Sequence, residues 1–412
     1  MTLRHGFLIA LAMTPLWGAP PRADAQSAPA ALTLSEALSR ARLESPELAA
    51  SRARLEAARL AVPEAGRWLN PTAEFRTENL FSGVSRTQLP LDVFAEVTQV
   101  LELGGKRAAR QSLAESGRAA EEAAQSLIWL TVQRRVIGEY LDALRHRERS
   151  AAHAAQQTDL TEAVRVLDRR VTAGVTAEAE LLRMRTELAR ATVEATRSGI
   201  TARRALSLLS ARTGAEVSLD ALAVPAVPAL PASDVDAAVG RRPDVLAARQ
   251  AVNTTQRVLR VEDARRVPDP AVNAGYKRTA GYNTALMTFT LPLPLFNRNQ
   301  AARTLALGAV TSAQQELTAT ERRARGEITA ARLVAERLIA HARELQTTLV
   351  TPAREVREAA RAAFASGALD VMRLVDAERV YIDARLVALD VEFDALAAAI
   401  EARLSAGEEP LP

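Results

Sequence analysis

The sequence predicts a mainly α-helical protein with a small β part, made of two similar halves. The duplication shows in three landmarks that recur in the same order: a proline-led motif at Pro46 and Pro243, an Asn-Pro or Asp-Pro pair before an alternating stretch, and a glycine at Gly174 and Gly367. Solenoid repeats are only about 20–50 residues long. We therefore predict one structural half copied once, which gives the protein internal pseudo-symmetry.

The first predicted half, residues 26–222, contains three elements in order. Residues 33–66 read as a helix, because a capping threonine precedes a long alanine-rich run. Apolar and polar side chains then alternate within 71–103, which predicts a β-hairpin. A long helical hairpin follows and is predicted to turn near Gly174, where the backbone needs a positive φ.

The second predicted half, residues 235–407, repeats this order. Its β-hairpin lies within 270–296, and its helical hairpin is predicted to turn near Gly367. The proline-rich segment 223–234 reads as an extended linker between the halves. Residues 408–412 form a short C-terminal tail.

The helical runs are unusually long. Residues 105–170 contain no proline, and about 65 helical residues at about 1.5 Å each would extend about 100 Å. Apolar residues in the last helix follow a heptad-like spacing: Ile382, Leu386, Leu389, Phe393, Leu396 and Ile400. This pattern predicts antiparallel coiled-coil packing.

The start of the chain reads as a cleaved secretory signal peptide, residues 1–25. A basic start precedes an apolar run that is too short to cross a bilayer, and Ala23-Asp24-Ala25 supplies a small-x-small cleavage pattern. The chain has no cysteine, which excludes disulfides, thiolate metal ligands and an acylated cysteine. We therefore expect an exported bacterial envelope protein that is not a lipoprotein.

The charge pattern argues against a nucleic-acid partner. Without the predicted signal, 51 basic and 48 acidic residues leave a net charge of +3. Both signs are interspersed along the helical runs, which is typical of solvated helix faces rather than of a nucleic-acid footprint.

Four strands per chain pose a closure problem. A barrel needs about eight strands, and an open sheet with an apolar face is prone to aggregate. Strands shared between symmetric copies would solve this, with Glu74, Glu78, Asp92 and Glu96 lining a wet lumen and the apolar face against lipid. The alternative is a sheet packed on the helices of a soluble protein.

The sequence resembles the TolC-like outer-membrane efflux proteins. The opening Thr-Leu-Ser-Glu-Ala-Leu at 33–38 with Ser-Pro-Glu-Leu at 45–48 is similar to the family's first motif. Glu-Leu-Gly-Gly-Lys-Arg at 102–107 resembles the strand-to-helix segment of the heavy-metal branch, which serves cobalt–zinc–cadmium type efflux systems. Leu-Pro-Leu-Pro-Leu-Phe-Asn-Arg-Asn at 291–299 is similar to its counterpart in the second repeat.

This resemblance implies a homotrimer with a 12-stranded barrel in the outer membrane and an α-helical tunnel through the periplasm. It also implies two protein partners, a periplasmic adaptor (membrane fusion) protein and an inner-membrane resistance-nodulation-division pump. The expected function is a passive exit duct, with heavy-metal cations as the favoured cargo. A duct for drugs or for type I secretion of proteins is an alternative, and a periplasmic coiled-coil adaptor or structural protein is an alternative of another class.

The resemblance also assigns roles to residues at the helical turns. Gly174 and Gly367 match the periplasmic tips, where the tunnel narrows and the adaptor docks. Six and nine residues further on, the family places aperture residues, here Glu180 and Arg183 in one repeat and Arg373 and Asp376 in the other. Three copies of each carboxylate would form acidic rings that favour cations, with the arginines bridging to them.

The strand-to-helix junction carries Gly104, Gly105, Lys106 and Arg107. We expect a glycine turn with solvated basic residues, while a hinge or contacts with lipid headgroups are the alternative. Five aromatic side chains either join interfacial girdles or pack within the strands: Phe75, Phe81, Phe94, Tyr276 and Tyr282.

No catalytic or cofactor site is predicted. His146 and His153 share a helix face, but no third ligand in the sequence completes a metal-binding set with them. Phosphate-binding loops, nucleophile elbows and paired carboxylates of a cleft are absent from the sequence. We therefore expect a protein that is not an enzyme.

Overall fold

The computed structural model describes residues 32–80, 90–214, 216–232 and 234–411. The predicted signal peptide, Phe81 and most of the loop between the first two strands lie outside these residues. The described part of the first repeat contains α1 (Leu34–Glu44), α2 (Pro46–Ala65), β1 (Thr72–Glu78), β2 (Asp92–Val100), α3 (Lys106–Thr172) and α4 (Glu178–Thr213). The second repeat contains α5 (Val235–Arg241), α6 (Pro243–Ala264), β3 (Ala271–Thr279), β4 (Tyr282–Thr290), α7 (Gln300–Leu345), α8 (Thr351–Ser366) and α9 (Val371–Ser405).

The helix predicted at 33–66 is two helices, so that prediction was wrong in its continuity. Ser45 adopts an extended conformation (ψ 120°) between α1 and α2 because it precedes Pro46, whose ring disfavours the helical region for the preceding residue. The Ser45 hydroxyl accepts a hydrogen bond from the N–H of Leu48 at 3.3 Å and so caps α2. In the second repeat, Arg242 precedes Pro243 and separates α5 from α6 in the same way.

The first long arm is one uninterrupted helix, whereas the second contains a π-helical turn. Helix α3 has 67 residues, which corresponds to about 100 Å. Its counterpart is divided into α7 and α8 by a π turn at Gln346–Val350. Pro352 follows at once, and its ring would clash with the carbonyl four residues earlier in a regular helix. Within the described residues, no helix is both long enough and apolar enough to cross a membrane.

The four strands form one antiparallel sheet in chain order. Directly paired residues share a face, so the register sorts the side chains into two faces. One row across the sheet reads Phe75, Ala95, Tyr276 and Ala285. The neighbouring row, on the opposite face, reads Arg76, Phe94, Lys277 and Thr284.

The main hydrophobic core lies where α1, α3, α4 and α9 pack together, away from the sheet. Tyr140 of α3 is fully buried there, and its hydroxyl lies 2.7 Å from the carbonyl oxygen of Leu32 and 2.6 Å from that of Ala223. Burial raises the pKa of Tyr140 to about 12. This hydroxyl therefore ties the start of the first repeat and the first residue of the linker to the middle of the longest helix.

Candidate functional site

Both helical hairpins turn at a glycine in the left-handed conformation. Gly174 has φ +74° and Gly367 has φ +84°. After α8, the N–H of Gly367 donates to the carbonyl of Phe364 at 3.0 Å and that of Ala368 donates to Ala363 at 2.8 Å. These bonds satisfy the last carbonyls of the helix, and only a residue without a Cβ adopts this φ at little cost.

Arg170 joins the two hairpin tips within one chain. Its Nη2 donates to the carbonyl oxygens of Phe364 at 2.6 Å and Ala365 at 2.9 Å. The guanidinium carbon also lies 4.9 Å from the centre of the Phe364 ring. Arg170 thus places a positive charge on the carbonyl end of α8, where the helix dipole favours it. Arg170 was not among the predicted site residues, although its place four residues before Gly174 was a usable signal.

The tips enclose a depression of about 670 Å³ that holds three of the predicted residues, Glu180, Gly367 and Arg373. Arg373 forms its ion pair with Asp370 at 3.6 Å, in the first turn of α9. Arg183 and Asp376 are exposed and do not line this depression. Among the described residues, no ion pair joins either arginine to Glu180 or Asp376, so the expected bridges are not made within one chain.

A buried charge cluster lies behind the tips. Arg361 of α8 contacts Asp159 of α3, and its Nε donates to Glu378 of α9 at 2.5 Å. Glu378 is only 3% exposed. Burial acts to lower the pKa of Arg361, but the two carboxylates outweigh burial and raise it. The cluster therefore fixes three helices to one another close to the predicted aperture residues.

At the strand-to-helix junction, Lys106 forms a largely buried ion pair, so the expectation of a solvated side chain was wrong. Its Nζ lies 2.6 Å from Oδ2 of Asp269, whose Oδ1 accepts a hydrogen bond from the N–H of Leu103 at 2.9 Å. Gly104 (φ +68°) packs against Val267 so closely that a Cβ would come within 2.7 Å of the Val267 side chain. These contacts join the two repeats directly below the sheet.

Arg107 is exposed and stacks on Trp68, with 5.0 Å between the guanidinium carbon and the ring centre. Gly105 (φ +73°) is the N-cap residue immediately before α3, and Asn299 (φ 60°) is the N-cap residue before α7, in the same left-handed conformation. The two junctions are therefore built alike, although one uses glycine and the other asparagine.

The two faces of the sheet differ strongly in polarity. Phe75 is 82% exposed and Met287 is 79% exposed on the apolar face. On the other face Glu96 accepts a hydrogen bond from Asn273 at 2.9 Å, and Lys277 lies 3.1 Å from Asp92. Gly275 makes room for Glu96, since a Cβ there would lie 2.7 Å from its Cγ. An exposed apolar face behind a charged one suits a sheet between lipid and water.

His146 and His153 lie on α3, as the sequence indicates. His153 is 8% exposed, and its Nδ1 has no hydrogen-bond partner among the described residues. Burial lowers the pKa of both imidazoles. Within the described ranges, no group of three or more histidine, aspartate and glutamate side chains is arranged to hold a metal ion.

Comparison with known proteins finds a family that the chain resembles. Residues 235–408, nearly all of the second repeat, match the model of the outer membrane efflux protein family. Three curated metal-resistance proteins of bacteria are also similar to this chain, and their alignments extend beyond the second repeat.

Two of these relatives indicate the extent of the similarity. The cobalt-zinc-cadmium resistance protein CzcC of Cupriavidus metallidurans is 29% identical over 311 residues, which cover 72% of each chain. The nickel-cobalt-cadmium resistance protein NccC of Alcaligenes xylosoxydans xylosoxydans is 27% identical, and the alignment covers 62% of this chain and 59% of the relative.

Solved structures show the same fold. The structure of CusC matches with a TM-score of 0.76 and 16% identity, covering 91% of this chain and 92% of CusC. The outer membrane protein VceC of Vibrio cholerae matches with a TM-score of 0.73 and 19% identity, covering 91% and 96%. The chain is therefore mainly helical with a four-stranded sheet, as the sequence predicts.

Proposed function

We propose that this protein belongs to the outer membrane efflux protein family, that it is the outer-membrane exit duct of a tripartite efflux system, and that its cargo is heavy-metal cations. The observation that carries the cargo assignment is the similarity of the chain to relatives named for resistance to cobalt, zinc, cadmium and nickel. The duct itself is passive and is not an enzyme. Energy for transport comes from the inner-membrane resistance-nodulation-division pump.

The two-faced sheet supports a membrane-spanning trimer. Four strands from each of three chains form a 12-stranded barrel, with the Phe75 face toward lipid and the Glu96 face toward the lumen. The chain reaches the outer membrane by a cleaved signal peptide, residues 1–25, and the barrel alone anchors it. The helices extend from the barrel into the periplasm.

The tips support docking of a periplasmic adaptor and control of the aperture. In the trimer, Glu180 and Asp376 form acidic rings at the narrowest point, and Arg183 and Arg373 contact them across neighbouring chains. The exposure of Arg183 and Asp376 is what an inter-chain contact requires. The tip depression that contains Gly367 then lies beside the aperture, where an adaptor hairpin docks.

The experiment is complementation of a bacterial strain that lacks its own outer-membrane component but keeps the cognate pump and adaptor. We expect the chain to restore growth in zinc, cobalt or cadmium salts and to lower cell-associated metal. Restored tolerance to drugs without restored tolerance to metals would contradict the proposed metal cargo but would support the function as an exit duct. Failure with both, at normal levels of protein in the outer membrane, would reject the duct itself.

A further inference from the structure

The four connections between the sheet and the helices carry an exposed apolar surface at one end of the sheet. Because the strands run antiparallel in chain order, β1 and β3 begin where β2 and β4 end. Trp68 precedes β1 and is 61% exposed, and Phe296 follows β4 and is 92% exposed. Leu293 and Leu295, between β4 and α7, are 69% and 66% exposed. We call these four side chains, with the arginines described next, the rim surface.

Three exposed arginines accompany these apolar side chains. Arg107 is the second residue of α3, Arg266 precedes β3, and Arg298 lies just before α7. Arg107 stacks on Trp68, so its guanidinium lies at the level of the indole. Among the described residues, no carboxylate lies within ion-pair distance of any of the three.

The carboxylates of the same region are already paired. Glu102 contacts Arg110, and Asp269 pairs with Lys106. Glu262 and Asp263 pair with Arg265 and Arg303 at 2.7 Å each. Glu64 pairs with Arg67 at 2.8 Å. The three rim arginines are therefore an uncompensated positive charge rather than halves of local ion pairs.

We infer that the rim surface binds anionic phospholipid headgroups of the leaflet that faces the helices. This inference rests on the proposed placement of the sheet in a membrane. The rim lies at the end of the sheet from which the helices extend, and its exposed indole and phenyl rings are side chains that favour the membrane interface. A guanidinium matches a phosphate in shape and charge, and three unpaired ones favour lipids with net negative charge.

The test uses the chain without its predicted signal peptide, and therefore without Trp17, in bilayer nanodiscs. The nanodiscs contain lipids with brominated acyl chains, which quench tryptophan fluorescence on contact. Trp68 is observed in a Trp129→Phe background. We expect brominated phosphatidylglycerol to quench Trp68 at lower mole fraction than brominated phosphatidylcholine. Replacing Arg107, Arg266 and Arg298 with glutamine should lower this preference about fivefold for each arginine removed. Arg197→Gln, an exposed arginine on α4, is the matched control and should leave the preference unchanged.

Salt provides a second measurement on the chain with all three arginines. The screening length falls from about 10 Å at 0.1 M to about 3 Å at 1 M ionic strength. The preference for phosphatidylglycerol should therefore shrink with salt. A preference that is absent, indifferent to salt, or unchanged in the triple variant would overturn the inference.

A reporter at Phe75 separates the lipid inference from the membrane placement. Phe75→Trp, made without Trp68 and Trp129, reports on the apolar face of the sheet. If it is quenched while Trp68 is quenched by neither lipid, another protein surface covers the rim and the lipid inference fails alone. If Phe75→Trp is not quenched either, both the lipid inference and the proposed membrane placement are overturned.

Discussion

Arg170 shows how one side chain joins two repeats that the sequence separates by almost two hundred positions. Its contacts with Phe364 and Ala365 are made to backbone carbonyls, so no particular partner side chain is needed to form the two hydrogen bonds. Substitution of the side chains at positions 364 and 365 would therefore leave these acceptors in place. It is also hard to infer from a sequence, because a carbonyl acceptor leaves no residue type to recognise.

Arg170→Met should loosen the tips of a single chain. The variant keeps an apolar stem but loses both charge-assisted hydrogen bonds, each worth about 1.5–3 kcal/mol. We expect faster amide hydrogen exchange at 364–369 and unchanged exchange in the main core. Arg169→Met is the control, since Arg169 is adjacent and exposed. Equal exchange in both variants would mean that Arg170 does not hold the tips.

Asp376→Asn tests the acidic ring. The change keeps the size of the side chain but removes three charges from a trimer, so cation selectivity in planar-bilayer recordings should fall. Salt should weaken the difference, since Asp376 is exposed and the screening length is about 10 Å at 0.1 M. Asp220→Asn, remote from the tips, should behave as the unmodified chain does. Unchanged selectivity in Asp376→Asn at low salt would remove this residue from the aperture.

His153→Gln tests the effect of burial on stability at acid pH. Burial lowers the folded-state pKa of His153, with Arg149 acting in the same direction and Glu194, Gln156 and Asp383 opposing it. As pH falls below about 6.5, the unfolded chain binds a proton that the folded chain refuses, so the free energy of unfolding decreases. His153→Gln has no imidazole at this position, so its free energy of unfolding does not decrease for this reason.

The measurement is the unfolding midpoint of each protein at pH about 7.5 and about 5.5. The midpoint of the unmodified protein should fall more than that of His153→Gln. His146 is retained in both, so its own lowered pKa cancels in the comparison. His341→Gln, in which an exposed histidine is replaced, should keep the full fall.

At the scale of single elements, local sequence signals such as glycine, proline and alternating polarity decide where helices and strands begin and end. The sequence predicted the strands and the helical turns because alternation and glycine are local signals. It merged α1 with α2, although Pro46 was visible, because the alanine-rich pattern on either side is continuous. It missed the π turn for a similar reason, since Pro352 sits inside a run that is otherwise helical.

Gly367→Val should strain the second tip. The φ of +84° is costly for any residue with a Cβ, by about 1–2 kcal/mol. The nearest atom to a Cβ there is Arg170 Nη2 at 4.0 Å, so the cost comes from the backbone rather than from a clash. We expect reduced metal tolerance in the complementation assay at normal levels of protein in the membrane.

Gly308→Val is the control for this change, because Gly308 lies within α7 with open space around its Cβ position. Helix propensity favours valine over glycine there. The Gly308 variant should therefore keep full metal tolerance. If Gly367→Val also keeps it, the second tip does not take part in docking.

At the scale of the whole molecule, the single chain leaves large apolar side chains exposed on the sheet and on the long arms. The sequence predicted the two-faced sheet correctly, since alternation alone sorts residues such as Phe75 and Glu96 onto opposite faces. It did not predict the ion pairs of Lys106 or Arg361, because their partners Asp269 and Asp159 come close only when both repeats are folded together. Long-range pairing of charges is set by packing, which no local pattern encodes.

The purified chain should be a helix-rich trimer in detergent. Three chains supply the strands that one chain lacks for closure, and they cover the exposed apolar side chains of the long arms. Light scattering combined with refractive index gives the protein mass of the complex without the detergent. A mass of one or two chains, with native helix content, would contradict a shared barrel.

At the π turn Gln346–Val350, the second arm changes which of its side chains share a helix face. The arm 300–366 has as many residues as the arm 106–172. At the π turn, however, its backbone hydrogen bonds span five residues instead of four. Deleting a residue there would rotate everything beyond it by about 100°. Pro352 keeps the extra residue in place, since an unbroken α-helix would bring its ring against a carbonyl. One inserted or deleted residue in an arm is thus enough to change which side chains the tip of that repeat presents to its surroundings.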